Sequence, residues 1–131
     1  MEDQKPVKDV LWVASSKKDF MEMPQKVVSD IGYALYKAQT GELPSIAKPL
    51  KGFSGASVIE LVEDYMGDTY RAVYTTRFED VVVVLHAFQK KSKHKAETPK
   101  HDIELIRSRL RLAGEIYKTW KSRGGKTDDQ E

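Results

Sequence analysis

Residues 81–85 constrain the fold more than any other part of the chain, because they are four valines followed by a leucine. Successive side chains of a strand point to opposite faces of a sheet, so this run is apolar on both faces. β-Branched residues favour strands, and a short, continuous apolar run is typical of a buried one. We therefore predict a strand in the middle of a sheet, with helices packed on one side.

Three β-rich runs follow one another in the middle of the chain, at residues 58–65, 69–76 and 81–88. The segments between them are short enough for hairpins, so the three runs predict an antiparallel meander. Another short apolar run, residues 10–14, predicts a first strand that pairs beside the run at 81–88.

Apolar residues recur at helical spacing between Phe20 and Ala38, which predicts a helical region with one apolar stripe. Ser16 can cap its start. Pro24 should divide it into a short and a longer helix that form a hairpin, because proline suits a first turn and disrupts a helix interior. Gly41 should end the second helix. Residues 41–56 then have the proline and glycine content of a loop.

A long C-terminal helix is predicted after residue 98, with Thr98 as its N-cap and Pro99 as its first helical position. Gly124 and Gly125 should end it. The residues that form its apolar stripe are Ile103, Ile106, Leu110, Ala113, Tyr117 and Trp120. The predicted order is β-α-α-β-β-β-α, an α/β chain of the α+β type. We expect one domain over residues 1–131, with an ordered core at about 10–123 and a frayed acidic tail.

Composition excludes several classes of function. The chain has no cysteine, so it has neither a disulfide framework nor a thiolate metal site, and its three histidines do not form a convincing zinc site. It lacks the roughly 18 consecutive apolar residues of a membrane span, and the charged residues 1–9 do not resemble a signal peptide. We expect a soluble cytoplasmic protein without metal or cofactor.

The net charge of +2 hides an uneven distribution. Residues 1–85 carry −3, residues 86–126 carry +8 and the last five carry −3. The densest part is the run at 89–95, which contains Lys90, Lys91, Lys93, His94 and Lys95. Each phosphate that a protein neutralises on a nucleic acid adds affinity, so this run is a candidate polyanion site. A solvated basic loop that contributes only solubility is an equally good interpretation.

Arg71 lies in the middle of a predicted strand, where its guanidinium must reach solvent or find a partner. It could bind a phosphate, or it could form a cross-strand ion pair with Glu60, Glu63 or Asp64. Glu60 has the matching alternatives of general base and ion-pair partner. The residues alone slightly favour the ion pair in both cases.

A histidine, a lysine and two tyrosines each have a possible functional role and a possible structural role. His86 could be an acid–base catalyst, although a histidine in a buried strand is more often a hydrogen-bonded core residue. Lys51 lies on a loop whose glycines allow the backbone to approach a ligand closely. One lysine of a crowded set could also have a pKa low enough for proton transfer near neutral pH. Tyr70 and Tyr74 could stack on bases but share a strand face, which favours the core.

Residues 47–53, 68–74 and 85–93, followed by a helix that starts near Thr98, resemble the phage-derived branch of the RelE/HigB-like toxins. The resemblance extends over about residues 11–117. It implies a RelE-like fold and a ribosome-dependent mRNA endoribonuclease, an mRNA interferase that inhibits translation. It also implies a cognate antitoxin, of the helix-turn-helix type, as the partner.

In such an enzyme the 2′-hydroxyl of the RNA is the nucleophile, so the protein moves protons and stabilises phosphoryl charge. The resemblance implies Lys51 as the proton-transfer residue, Arg71 and Lys90 as phosphate stabilisers, and Lys91 as the positioning residue. His86 is a further catalytic candidate, the nearest substitute for an aromatic residue or histidine of some relatives. The predicted RNA contacts are basic residues of the loop, of the lysine-rich run and of the C-terminal helix, namely Lys48, Lys93, Lys95, Arg107 and Arg111.

The chain departs from many of these toxins at Val62, where they have an arginine two residues after the glutamate that matches Glu60. Relatives also differ in their acid–base pairs. Two alternatives to the enzyme therefore stay open. One is a module that binds RNA, DNA or the ribosome without cutting, and the other is a toxin-fold inhibitor of another target such as gyrase.

Overall fold

The computed structural model describes residues 6–54, 57–90 and 97–125. In these ranges the strands are β1 (Asp9–Trp12), β2 (Ala47–Pro49), β3 (Val58–Tyr65), β4 (Asp68–Thr75) and β5 (Val81–Lys90). The helices are α1 (Ser16–Met21), α2 (Gln25–Gln39) and α3 (Lys100–Ser122). None of the helices in these ranges has the length and apolar character that crossing a membrane requires.

The strands form one sheet in the order β1-β5-β4-β3-β2. β3, β4 and β5 are the predicted antiparallel meander, and β5 lies inside the sheet as predicted. β1 pairs beside β5 and runs parallel to it. β2 was not predicted, because its residues lie in a segment with the composition of a loop. β2 is a three-residue edge strand that pairs with β3, and an edge is where a sheet tolerates a proline such as Pro49.

Helices cover both faces of the sheet, so the expectation of helices on one side is wrong. α1 and α2 pack on one face, where Phe20 and Ile31 belong to the same core cluster as Val82 and Val84. α3 packs on the other face, where Ile106 lies against Val83 and Leu85, among others. The cause is the two-sided apolar character of β5, because both sets of its side chains must leave water.

The helix starts differ from their predictions by one residue. Ser16 begins α1 instead of capping it, and its buried hydroxyl donates to the carbonyl oxygen of Val84 over 3.1 Å. Pro24 separates α1 from α2, as predicted. Pro99, not Thr98, holds the N-cap position of α3, and no side chain caps that helix. The hydroxyl of Thr98 is engaged elsewhere, as described below.

We expect Ile106→Ala to lower the free energy of unfolding by about 2–5 kcal/mol, because it leaves a cavity between α3 and the sheet. Ile106 is 0% exposed. Leu112→Ala on the same helix is the matched control, since Leu112 is 50% exposed and its replacement should change stability by less than about 0.5 kcal/mol. Urea denaturation followed by circular dichroism measures both, and equal losses would contradict the assigned packing.

Candidate functional site

A β-bulge determines which side chains of β5 meet α3. Val73 of β4 pairs with His86, whereas the next residue, Tyr74, pairs with Val84, so Leu85 is the extra residue. Before the bulge, the even-numbered residue Val84 faces α1 and α2. After it, the alternation is reversed, and Phe88 packs on the α3 face. Bulges of this kind redirect side chains.

Lys90, at the end of β5, therefore lies on the same face as Arg71 of β4 and Glu60 of β3. Nη1 of Arg71 donates to Oε1 of Glu60 over 2.9 Å and to Oγ1 of Thr98 over 3.2 Å. Thr98 in turn donates to Oε2 of Glu60. Arg71 is 3% exposed and Glu60 is 1% exposed. The ion pair that the sequence slightly favoured is present, and Thr98, two residues before α3, is hydrogen-bonded to both of its members.

Two lysines complete this cluster. Nζ of Lys48, from β2, lies 3.9 Å from Oε1 of Glu60, and its side chain is half exposed. Nζ of Lys90, from β5, donates to the backbone carbonyl oxygen of Glu97 over 2.5 Å, and Lys90 is 5% exposed. Burial, followed by the nearby Arg71 guanidinium, lowers the pKa of Lys90. The end of the sheet thus gathers three cations around one carboxylate.

A cavity of about 270 Å³ opens beside this cluster, between β2 and the start of α3. Its apolar lining is Pro49, Leu50 and Ile103. Its polar lining is Lys48, Lys51, Glu60, Glu97 and Thr98. Lys51 and Lys48 therefore share one cavity, while Arg71 and Lys90 lie behind the Glu97–Thr98 segment that forms part of its wall.

His86 connects β5 to the first turn of α3. Its Nε2 lies 2.8 Å from Oδ1 of Asp102, which is buried, and its Nδ1 lies 3.4 Å from Nη1 of Arg109. Burial lowers the pKa of His86, which favours the neutral ring. We assign the proton to Nε2, because Asp102 can only accept and Arg109 can only donate. His86 stays a predicted catalytic residue, with both ring nitrogens engaged.

The predicted RNA contacts are placed in three ways. Lys48 lines the cavity, whereas Arg107 holds the loop after β2, with Nη2 donating to the carbonyl oxygen of Gly52 over 3.3 Å and the guanidinium 4.7 Å from the Phe53 ring. Arg111 is exposed on α3. The predicted site residues Lys91, Lys93, His94 and Lys95 lie outside the described residues, as does the acidic tail.

Tyr70 and Tyr74 are buried in the core beneath α1 and α2, as the sequence favoured. Burial raises the pKa of Tyr74 to about 12. The sequence analysis missed Thr98, Glu97 and Asp102 as parts of the site. The sequence predicts a helix cap at Thr98 and carries no signal that its hydroxyl bonds a strand residue 38 positions away. Among the described residues, no group of histidine and acidic side chains is arranged to hold a metal ion.

A second cavity, of about 670 Å³, lies between α2 and residues 43–46, close to the edge of the sheet. The carboxyl groups of Asp30 and Glu63 share a hydrogen bond there. Desolvation, followed by this contact with Asp30, raises the pKa of Glu63 to about 7. None of the predicted site residues lines this cavity.

The fold and the site define an α+β protein with a cationic, carboxylate-centred cavity at the end of a five-stranded sheet. The chain belongs to the phage-derived Gp49-like family (DUF891), whose sequence model matches residues 18–111. This match includes β2 to β5, all of α2 and about the first half of α3. It confirms the phage-derived part of the resemblance, while the finer RelE/HigB assignment stays a prediction.

No curated protein matches the chain significantly. Among solved structures, the chain is similar to one in the crystal structure of the toxin–antitoxin complex RelBE2 from Mycobacterium tuberculosis. The two share 18% sequence identity with a TM-score of 0.45, and the match covers 70% of this chain and 100% of that one.

We expect Arg71→Met alone to destabilise the protein by about 3–5 kcal/mol, because it leaves the Glu60 carboxylate buried without its main partner. Adding Glu60→Leu should recover part of this loss. Urea denaturation of both single variants and the double variant gives the coupling energy. The exposed pair Lys18 and Glu22 is the control, and its double-alanine variant should leave the midpoint unchanged. If the losses in free energy of unfolding from the two single variants add up in the double variant, the Glu60–Arg71 ion pair is contradicted.

Glu63 should make the free energy of unfolding fall as pH rises from about 4.5 to 7. In this window the folded protein keeps a proton on Glu63 that the unfolded chain releases. Raising the pH therefore favours the unfolded state. Glu63→Gln should be insensitive, because its amide still donates to Asp30. Urea midpoints at a series of pH values measure the difference. Glu115→Gln, at an exposed site on α3, should follow the wild type; a parallel profile for Glu63→Gln would contradict the assignment.

Proposed function

We propose that this protein is the toxin of a type II toxin–antitoxin system, of the RelE/HigB kind, and that it cuts mRNA on the ribosome. The observation that carries the proposal is the convergence of Lys48, Arg71 and Lys90, from three different strands, on one end of the sheet. Lys51 joins them at the same cavity. The family match covers all four residues.

RNA brings its own nucleophile to such a site. The 2′-hydroxyl loses a proton and attacks the adjacent phosphorus, and the bond to the 5′-oxygen breaks as that oxygen gains a proton. The protein must move these protons and stabilise the added charge on the phosphoryl oxygens. We assign proton transfer to Lys51 and charge stabilisation to Arg71 and Lys90, with Lys91 positioning the substrate. The lowered pKa of Lys90 makes it a second candidate for proton transfer.

The hydrogen bonds at the Glu97–Thr98 segment indicate how a phosphate would bind. Thr98 Oγ1 accepts from Arg71, and the carbonyl oxygen of Glu97 accepts from Lys90. Both acceptors are uncharged oxygens, and a phosphate oxygen accepts more strongly from the same donors. In the proposed enzyme the scissile phosphate replaces these contacts, so this segment must shift when RNA binds. His86, through Asp102, holds the start of α3 against the sheet next to that segment.

The proposed partner is an antitoxin of the helix-turn-helix type, and the proposed location is the cytoplasm. An acidic segment of the antitoxin would be complementary to the lysines of the cavity and would block the RNA path. Co-expression with a short helix-turn-helix gene, if one lies beside the gene of this protein, followed by co-purification, tests this partnership. A toxin that stays unbound to that gene product would contradict it.

A module that binds RNA without cutting it is the second candidate. The burial of Arg71 and Lys90 favours it, because their donors already have acceptors within the protein. Such a module would retain RNA affinity through the exposed lysines of the cavity and would leave the message intact.

Primer extension on a message translated in vitro decides between the two candidates. Wild-type protein should produce ribosome-dependent cuts, and Lys51→Ala should reduce the cutting rate by roughly 10²-fold or more, as expected for a proton-transfer residue. Lys118→Ala, an exposed charge change on the outer part of α3, is the matched control and should cut normally. Arg71→Ala should also lose activity, but only variants that still melt cooperatively are compared.

The outcomes are distinct. Cuts that do not need ribosomes would remove the ribosome-dependent part of the proposal. RNA retention without any cuts would support the binding module. A Lys51→Ala variant that cuts as fast as Lys118→Ala would contradict the role given to Lys51.

A further inference from the structure

The cavity between β2 and α3 has chemistry that the cleavage step itself does not use. Pro49 and Leu50 lie on its β2 side, and Ile103 lies on its α3 side. A phosphate group needs no such apolar walls. The apolar walls suit a flat, weakly hydrated group whose transfer out of water is favourable. The ligand of this cavity therefore has an apolar or aromatic part besides its charge.

The charges around the apolar walls specify the rest of the ligand. Lys51 and the half-exposed Lys48 can reach solvent from one side of the cavity, so they can neutralise an anion attached to the flat group. A nucleotide combines both parts, because its base is flat and its phosphate is anionic. A volume of about 270 Å³ is slightly below the roughly 300–1,000 Å³ of pockets for drug-sized molecules, and it suits one nucleotide unit.

The polar end of the cavity distinguishes among bases. Glu60 and Glu97 both line it, and carboxylates only accept hydrogen bonds. The Thr98 hydroxyl, which also lines it, already donates its proton to Glu60. Glu60 accepts from Arg71 and Thr98, yet an ionised carboxylate has about four acceptor sites. An exocyclic amino group supplies two N–H donors to this end. Uracil offers only its N3–H, which lies between two carbonyl oxygens that a carboxylate repels.

We propose that the cavity is a nucleobase subsite, in which Pro49, Leu50 and Ile103 enclose a base that carries an exocyclic amino group while Lys48 and Lys51 hold its phosphate. The subsite rests on the proposed function in that it names part of the RNA substrate, but base binding does not require cleavage. It gives the site a sequence preference, with adenine, cytosine and guanine favoured over uracil at one position of the message.

The test measures binding with RNA that cannot be cut. Four trinucleotides of the form U-N-U, with 2′-O-methyl groups on every sugar, are titrated into the full chain. The δ1 methyl signal of Ile103 in NMR spectra reports occupancy at the cavity itself. We expect the probes with adenine, cytosine or guanine in the middle to bind roughly tenfold more tightly than the all-uracil probe, as one charge-assisted hydrogen bond allows.

Two variants separate the subsite from general attraction to lysines. Isothermal titration calorimetry gives the affinities of these variants, because Ile103→Trp lacks the reporting methyl group. Ile103→Trp fills the cavity and should abolish the preference among bases, whereas Leu112→Trp, at an exposed position of the same helix, should retain it. Thermal melting checks that both fold. Glu97→Gln tests the polar end, because its amide can donate as well as accept, and it should narrow the gap between the uracil probe and the others.

Each result has one meaning. Equal binding of all four probes, or a preference that survives Ile103→Trp, would overturn the subsite. So would an acidic tripeptide that shifts the Ile103 methyl signal as far as the nucleotides do. Base-selective binding with no cleavage of translated messages would support the subsite and reject the endoribonuclease. Cleavage that shows no base preference and is unaffected by Ile103→Trp would support the endoribonuclease and reject the subsite.

Discussion

The two-sided apolar character of β5 is the constraint on which the rest of the structure depends. α1 and α2 must cover one face and α3 the other, because the valines point both ways. α3 begins beyond the apolar part of β5, so its start covers polar residues of the sheet. Charges buried in this way must be paired, and Glu60 and Arg71 form that pair. The candidate site thus lies where the start of α3 packs over polar residues of the sheet and no longer over the apolar part of β5.

Local patterns predicted most of the elements. The alternation and turn residues of β3 to β5, and the stripe of α3, depend on neighbours in sequence, and these predictions are confirmed. β2 was missed because three residues with a proline carry too little pattern, and only its pairing with β3 makes it a strand. The second helical layer was not predicted, because an apolar run shows that both faces of β5 are buried but does not show which elements bury them.

The residues of the site were easier to predict than their arrangement. Basic residues at strand ends are visible in sequence, and Lys51, Arg71 and Lys90 do lie around one region. The bulge at Leu85 was not visible, although it is what places Lys90 on the face of Arg71. The burial of Arg71 and Lys90 under Glu97 and Thr98 was also not visible, because it depends on how the chain enters α3 after β5. Pairing across the sheet decides such features, not composition.

The parallel pairing of β1 with β5 has a consequence for synthesis. Val81, the partner of Asp9, is made 72 residues after it. At roughly 5–20 residues per second, β1 waits for several seconds without its neighbour. α3 is made later still and supplies the last wall of the cavity. The cavity therefore forms only after α3 has left the ribosome, because Glu97, Thr98 and Ile103 belong to its wall.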